Sequence, residues 1–307
     1  MSTNRFNFDI DQIDLTGGSL APTELARRVH GLEAGRLLQA EVFDPAGAGE
    51  LQVEIEQVQN RYLAPGVDAY SQFLVGDLGS AGGGSAAIFN WGTAEGEGAE
   101  AVDLESFPRL RTFLALVDDF AAALRRPDEK HLLSVVPSLR KVRTFPRFFH
   151  RDSHASVDEV RREADIPSCY RMVWDLGLQN SHEVLNVHFV PRAGLLDDDG
   201  RVAAPHRALF QGQNFAFREM SDHEIDAVQP QMREASLPVP ELQRELVPGR
   251  AFVWLDDLFF HTTYLRHGRS VDELQAAPRS ILIVRQFAAN AQDDIPWSDA
   301  VRRFLPG

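Results

Sequence analysis

Phe145-Pro-Arg-Phe-Phe-His-Arg-Asp-Ser-His154 sets an imidazole, His150, two residues before a carboxylate, Asp152, at the end of an apolar, β-prone run. In an extended strand, residues i and i+2 point to the same side. Both groups can therefore address one point in space without a special loop. One further histidine would complete two imidazoles and a carboxylate on one face of a metal, leaving the opposite face open. That ligand set suits non-haem Fe(II) and oxygen chemistry. The pattern alone has little specificity in a chain with 10 histidines and 45 acidic residues. A structural histidine beside a surface aspartate is the competing explanation.

Downstream of about residue 132 the sequence becomes a series of short apolar runs broken by turn signals. Strands are expected at 132–136, 139–145, 169–177, 183–190, 208–211, 214–218, 251–255 and 279–287. Upstream, the pattern is more helical. Pro22-Thr-Glu-Leu opens a helix to about Leu38 with Thr23 as its cap. Leu110, Phe113, Leu116, Val117, Phe120 and Leu124 give residues 104–126 strong helical spacing. Leu51-Gln-Val-Glu-Ile-Glu-Gln-Val alternates with period two and reads as a half-exposed strand, with a helix left open. The glycine-rich run over 76–98 lacks both phosphate-cradle spacings and reads as a loop. Residues 1–20 read as an arm on the body, 220–248 as a polar, helix-leaning insert, and 197–200 as a surface turn. Many short strands after a helical part imply a mainly β fold, a sandwich or jelly roll with flanking helices. No repeat or linker divides the chain. One domain over 1–307 is expected, with a helical and mixed part (1–131), a β core (132–290) and a C-terminal tail (291–307).

Composition removes several function classes. A net charge of −14 works against nucleic-acid or anionic-membrane binding. The single cysteine, Cys169, excludes an internal disulfide framework and a cysteine-rich metal site. There is no apolar signal region and no stretch of transmembrane length, so a cytoplasmic protein is expected, its oligomeric state open. Lysine occurs only at Lys130 and Lys141. The positive charge is nearly all arginine, which favours planar contacts to carboxylates or reflects base composition.

Two later features join the His-x-Asp pair. Pro248-Gly-Arg-Ala-Phe-Val-Trp-Leu-Asp-Asp-Leu-Phe-Phe-His261 reads as a turn and a strand ending in His261. Arg279 then opens Arg-Ser-Ile-Leu-Ile-Val-Arg285, the most β-prone run of the chain. An arginine there can clamp a carboxylate through its planar fork. Over about residues 135–290 this order resembles the Fe(II)/2-oxoglutarate-dependent dioxygenase superfamily, and most of all its phytanoyl-CoA-hydroxylase-like and amino-acid hydroxylase members. The resemblance implies a double-stranded β-helix core (jelly roll, cupin-like), with Fe(II) as cofactor and 2-oxoglutarate and O2 as co-substrates. It implies iron ligation by His150, Asp152 and His261, and a 2-oxoglutarate clamp at Arg279. Arg285 lies on the same strand face and is the alternative clamp. Arg279 is favoured on the expectation that its strand opens nearer the metal. The gap from His261 to Arg279 is long for the family. Asp152 occupies the position that halogenases leave without a carboxylate. The implied activity is hydroxylation, desaturation or cyclisation of a small molecule such as an amino acid or specialised metabolite. A non-catalytic cupin-like binding protein and a hydroxylase of protein side chains remain open.

Other residues are weighed against plainer roles. His154 could replace His150 as a ligand or sit at the surface. Asn186 and His188 share one face of a strand and face either substrate or solvent. Arg171, in an apolar strand, meets a substrate carboxylate or an internal partner. Trp174 and Trp254 read as core. Thr262, Thr263 and Tyr264 could orient His261.

Overall fold

The computed structural model describes residues 10–17, 20–64, 69–78, 87–125, 130–141, 170–189, 242–255, 260–265, 271–287 and 299–304. In chain order the elements are β1 (Asp11–Asp14), α1 (Pro22–Glu33), β2 (Leu38–Glu41), α2 (Pro45–Tyr62), β3 (Tyr70–Gly76), β4 (Ala87–Thr93) and β5 (Gly96–Val102). They continue with α3 (Pro108–Leu124), β6 (Leu132–Lys141), β7 (Tyr170–Gly177), β8 (Val184–Phe189), β9 (Leu242–Glu245) and β10 (Arg250–Leu255). The last are β11 (Phe260–Leu265), α4 (Val271–Ala276), β12 (Arg279–Phe287) and α5 (Asp299–Arg302).

The strands form a large sheet, ordered β1-β2-β10-β7-β12-β6-β3-β4-β5, and a small sheet, β11-β8-β9. The pairings of β7 to β12 define a doubled hairpin. β8 pairs with β9 in the small sheet while β7 pairs with β10 in the large one. The chain then returns, β11 onto β8 and β12 onto β7, all antiparallel. This winding is a double-stranded β-helix, a jelly roll. The N-terminal strands extend its large sheet on both sides, through β2 on β10 and β3 on β6.

Strand alternation gives the large sheet two faces. Phe73, Val135, Trp174, Val253, Leu282 and Val284 face the helices and pack with Leu51, Ile55, Phe113, Val117 and Phe120 in one core. Phe120 meets Trp174 edge-on, with ring centroids 5.2 Å apart. On the other face Val173, Phe252, Trp254 and Ile281 pack with Leu246 from the β9–β10 turn. Helices hold the first face, and short turns lead from β7 to β8 and from β9 to β10. The small sheet therefore folds over the second face, which is the inner wall of the barrel.

Several expectations are corrected. The stretch at Leu51 is helical, because Leu51, Ile55 and Val58 are all buried at helical spacing. Asp44 caps that helix, accepting from Gly47 N at 2.7 Å, with Pro45 in its first turn. α1 stops at Glu33, and its cap is Ala21 rather than Thr23, with Pro22 following. The 104–126 segment splits into a 3-10 turn, Leu104–Ser106, and α3. Glu54 of α2 accepts from Leu110 N at 2.8 Å and so caps α3 from outside. The glycine-rich 76–98 run contains the β4–β5 hairpin. The two strands expected at 132–145 are one, β6, and residues 242–245 of the polar insert form β9. Residues 208–218 lie outside the described part. β7, β8, β10 and β12 fall where the sequence puts them.

Candidate active site

The level of each residue along the barrel follows from the turn Leu178–Glu183 that joins β7 to β8. Gly177 and Val184 flank this turn end; Tyr170 and Phe189 mark the opposite end. β11 begins at that opposite end, where His261 stands directly across from His188, and Thr263 across from Asn186. Opposed residues of an antiparallel pair share a face, so all four lie on one face of the small sheet. Thr262 and Tyr264 lie on the other. The expected strand ending in His261 is in fact two strands: β10 stops at Leu255, and His261 is the second residue of β11.

His150, Asp152 and His154 lie outside the described residues. The segment that carries them leaves from Lys141 at the turn end and re-enters at Tyr170, at the His261 end. Among the described residues no three histidine, cysteine or carboxylate side chains form a metal-binding group. The donors that bear on a metal are thus His261, by its place at the head of β11, and the His-x-Asp pair in the sequence joining β6 to β7. Two imidazoles and one carboxylate suit Fe(II) chemically.

β11 runs from the His261 end to the turn end, and β12 returns from there. Arg279, the first residue of β12, is therefore deep in the barrel and not at the level of His261, which corrects the expectation that its strand opens nearer the His261 end. The depth is about six residues, roughly 20 Å at about 3.3 Å per residue. Arg279 is 6% exposed. Its neighbour Ser280 is pinned on both sides: Ser280 N donates to Gln179 O at 2.7 Å, Leu178 N donates to Ser280 O at 3.0 Å, and Arg140 N donates to Ser280 Oγ at 3.0 Å. The register between β12 and β6 shifts at this point, and Arg140 takes a φ of 51°. Arg285 lies nearer the other end, opposite both Val173 and Ser134. Val173 and His188 are equally far from the shared turn, so Arg285 is level with His261. Arg171 coincides with a bulge, because Gln286 pairs with Met172 and Phe287 with Tyr170. Trp174 and Trp254 are fully buried, as core residues.

Four buried polar side chains on the inner wall escape a sequence reading: Asp175, Gln72, Asn90 and Ser134. Three of them form a directed chain. Ser134 Oγ donates to Gln72 Oε1 at 2.5 Å, Gln72 Nε2 donates to Asn90 Oδ1 at 3.0 Å, and Asn90 Nδ2 donates to the Gly98 carbonyl at 3.1 Å. A backbone carbonyl only accepts. It fixes the Asn90 amide, which fixes Gln72, which commits the Ser134 proton. The usable signal was a polar residue recurring at even spacing inside an apolar run, as Asp175 does in Tyr170-Arg-Met-Val-Trp-Asp-Leu-Gly177. Gln72 and Asn90 carried no such signal, because their strands were not recognised.

No protein-family model and no curated protein matches the chain. Solved structures similar to it include a prolyl-4-hydroxylase of Pseudomonas putida, at 12% identity over 86% of this chain and 91% of that chain, with a TM-score of 0.39. They include the Kdo hydroxylase KdoO, a non-haem Fe(II) α-ketoglutarate-dependent dioxygenase in complex with α-ketoglutarate and Fe(III), at 13% identity over 94% and 92%, TM-score 0.37. A third is the non-haem α-ketoglutarate-dependent epimerase SnoN from nogalamycin biosynthesis, at 14% identity over 87% and 84%, TM-score 0.40. Likeness of this degree transfers no residue role.

Proposed function

We propose that the protein is a non-haem Fe(II)/2-oxoglutarate-dependent oxygenase acting on a small molecule. The observation that carries this reading is axial. His261 heads β11 at one end of the barrel, and buried Arg279 opens the next strand at the other. A linear dicarboxylate held at a metal by its keto-acid end would extend its far carboxylate into the barrel, toward Arg279 reaching up from the deep end or Arg285 at the His261 level. The bound group supplies an oxidant able to break an unactivated C–H bond, using O2 and releasing succinate and CO2.

The chain's own residues do the rest. His150, Asp152 and His261 would hold the iron. Arg279 would hold the distal carboxylate, its backbone locked through Ser280 and its fork suited to a bidentate contact. The inner wall of Val173, Phe252, Trp254 and Ile281 excludes water from the reacting centre. Asp152 disfavours halogenation, since it fills the position a halide would need.

Anaerobic addition of Fe(II) and 2-oxoglutarate to the purified protein tests the reading. A visible metal-to-ligand charge-transfer band is expected in the wild type, lost in His150→Ala, Asp152→Ala and His261→Ala, and weakened in Arg279→Ala. Loss in Arg285→Ala with retention in Arg279→Ala would move the clamp. No band in the folded wild type would sink the oxygenase reading in favour of a binding protein.

A further inference from the structure

We propose that Arg140, braced by Glu56, and Asn180 are positioning residues that hold Arg279 as the clamp for the distal carboxylate of 2-oxoglutarate. The inference rests on the oxygenase reading and deepens it, because it assigns the clamp to Arg279 rather than to Arg285.

Among the described residues only two that are not glycine have a positive φ, Arg140 at 51° and Asn180 at 54°. Left-handed backbone is disfavoured for residues with a Cβ, and asparagine tolerates it better than arginine. Such residues persist only where their surroundings over-determine them, and they cluster at sites of function. Both are bonded to the immediate neighbours of Arg279. Arg140 N donates to Ser280 Oγ at 3.0 Å, and Asn180 Nδ2 donates to the Pro278 carbonyl at 3.3 Å. Arg285 lies six residues further along β12.

The sheet and α2 together over-determine Arg140. Between the pairs Arg279–Lys141 and Ile281–Ser138, β6 takes three residue steps where β12 takes two. The extra residue is a bulge, and a bulge re-aims the side chains beside it. Arg140 turns toward α2, where its Nε and Nη2 donate to the two oxygens of Glu56 at 3.0 and 2.9 Å. Gln52 Nε2 donates to Glu56 Oε1 at 2.9 Å and orients that carboxylate. The Arg140 side chain is 67% exposed, and so exposed a pair adds little to stability. What the two-pronged contact supplies is direction. The line of contacts runs from α2 through Glu56, Arg140 and Ser280 to the backbone of Arg279. Asn180 holds the other side from the turn between β7 and β8.

The test is a titration of 2-oxoglutarate into the full-length Fe(II) protein under argon, reading half-saturation of the charge-transfer band. Glu56→Gln, Arg140→Lys and Asn180→Gly should each raise the half-saturating concentration about three- to tenfold, the equivalent of one hydrogen bond. The final amplitude and the Fe(II) affinity should not change. Arg140→Lys keeps the charge and loses only the fork, and Asn180→Gly keeps the left-handed turn and loses only the amide. In an Arg279→Met background the same substitutions should add nothing, because they act through that residue. Circular dichroism confirms folding. Half-saturation unchanged in all three variants overturns the inference even where melting temperatures fall, the mark of a purely structural brace. An effect that persists in Arg279→Met but vanishes in Arg285→Met also overturns it, and moves the clamp. Both results leave the oxygenase reading intact, whereas a folded wild type without the band overturns that reading and the inference with it.

Discussion

Replacing Gly249 with alanine should cost about 3–4 kcal/mol of folding stability. Gly249 sits in the turn before β10 with φ at +85°, and an added Cβ would stand 2.0 Å from the Phe43 carbonyl oxygen and 2.8 Å from its carbon. The backbone there cannot retreat cheaply, because Val42 N and Phe43 N both donate to the Gly249 carbonyl, at 2.8 and 3.0 Å. Relieving the overlap breaks both bonds, at about 1 kcal/mol each. The left-handed conformation adds roughly 1–2 kcal/mol for any residue with a Cβ. Urea unfolding with unchanged slope measures the loss. Gly92→Ala is the control, since a Cβ there meets nothing within 4 Å, and it should stay within about 0.5 kcal/mol of wild type. Asparagine tolerates left-handed backbone but carries the same Cβ, so Gly249→Asn should be nearly as damaging as alanine. If alanine cost less than about 1 kcal/mol, or asparagine were harmless, the overlap with Phe43 could not be the constraint.

Phe120→Ala empties a fully buried site against Trp174 and should cost about 3–5 kcal/mol, read by the urea midpoint. Gln72→Leu strands Ser134 and Asn90 in the inner wall at about 1–3 kcal/mol per group. The double variant Gln72→Leu/Asn90→Leu should lose less than the sum of the single losses, measured in a double-mutant cycle. On α1, the Arg27 side-chain hydrogen bond holds Glu24 well below its ordinary 4.5, at about 2, against the opposing effect of desolvation and with further lowering from Arg28. A depressed carboxylate stabilises the fold above pH 4.5, and that contribution fades as the pH falls through about 2. An NMR carboxylate titration should show the Glu24 midpoint rising in Arg27→Ala, and rising in wild type at high salt.

What could be read from the sequence follows the physics of each signal. β12 was legible because its centre, Ile281-Leu-Ile-Val284, is a continuous apolar run rich in β-branched residues, and a strand buried on both faces needs no alternation. β3 to β5 were hidden because glycines punctuate them. Gly98 is required there by close approach, a Cβ on it falling 2.3 Å from the Trp91 ring. The 51–58 segment misled because polar Gln52 is buried and apolar Val53 is exposed, so polarity does not report burial there, and eight residues cannot separate periods of 2 and 3.6 when tertiary burial decides. His261 and Arg279 could be singled out from the sequence as residue types in order, yet their depth in the fold could not. Depth depends on strand direction, which only the pairing of β11 with β8 and of β12 with β7 reveals. Asp175 needed the same knowledge, since its inner-wall position exists only once the sheet has two faces.

The two ends of the barrel also differ in how they can change. At the turn end, β7 to β8, β9 to β10 and β4 to β5 are joined by short reversals, some held by backbone bonds such as Gly249 N to Gly177 O at 2.9 Å. At the His261 end the chain passes from Gly76 to Ala87, from Phe189 to Leu242 and from Leu255 to Phe260. Doubling the length of a loop costs only about 0.6 kcal/mol in closure entropy, whereas altering a tight reversal disturbs strand register. Laboratory evolution should therefore find tolerated insertions and new selectivities almost wholly at the His261 end, with the opposite end conserved as the scaffold's register mark. A library confined to those connections can explore new substrates at little expense to folding.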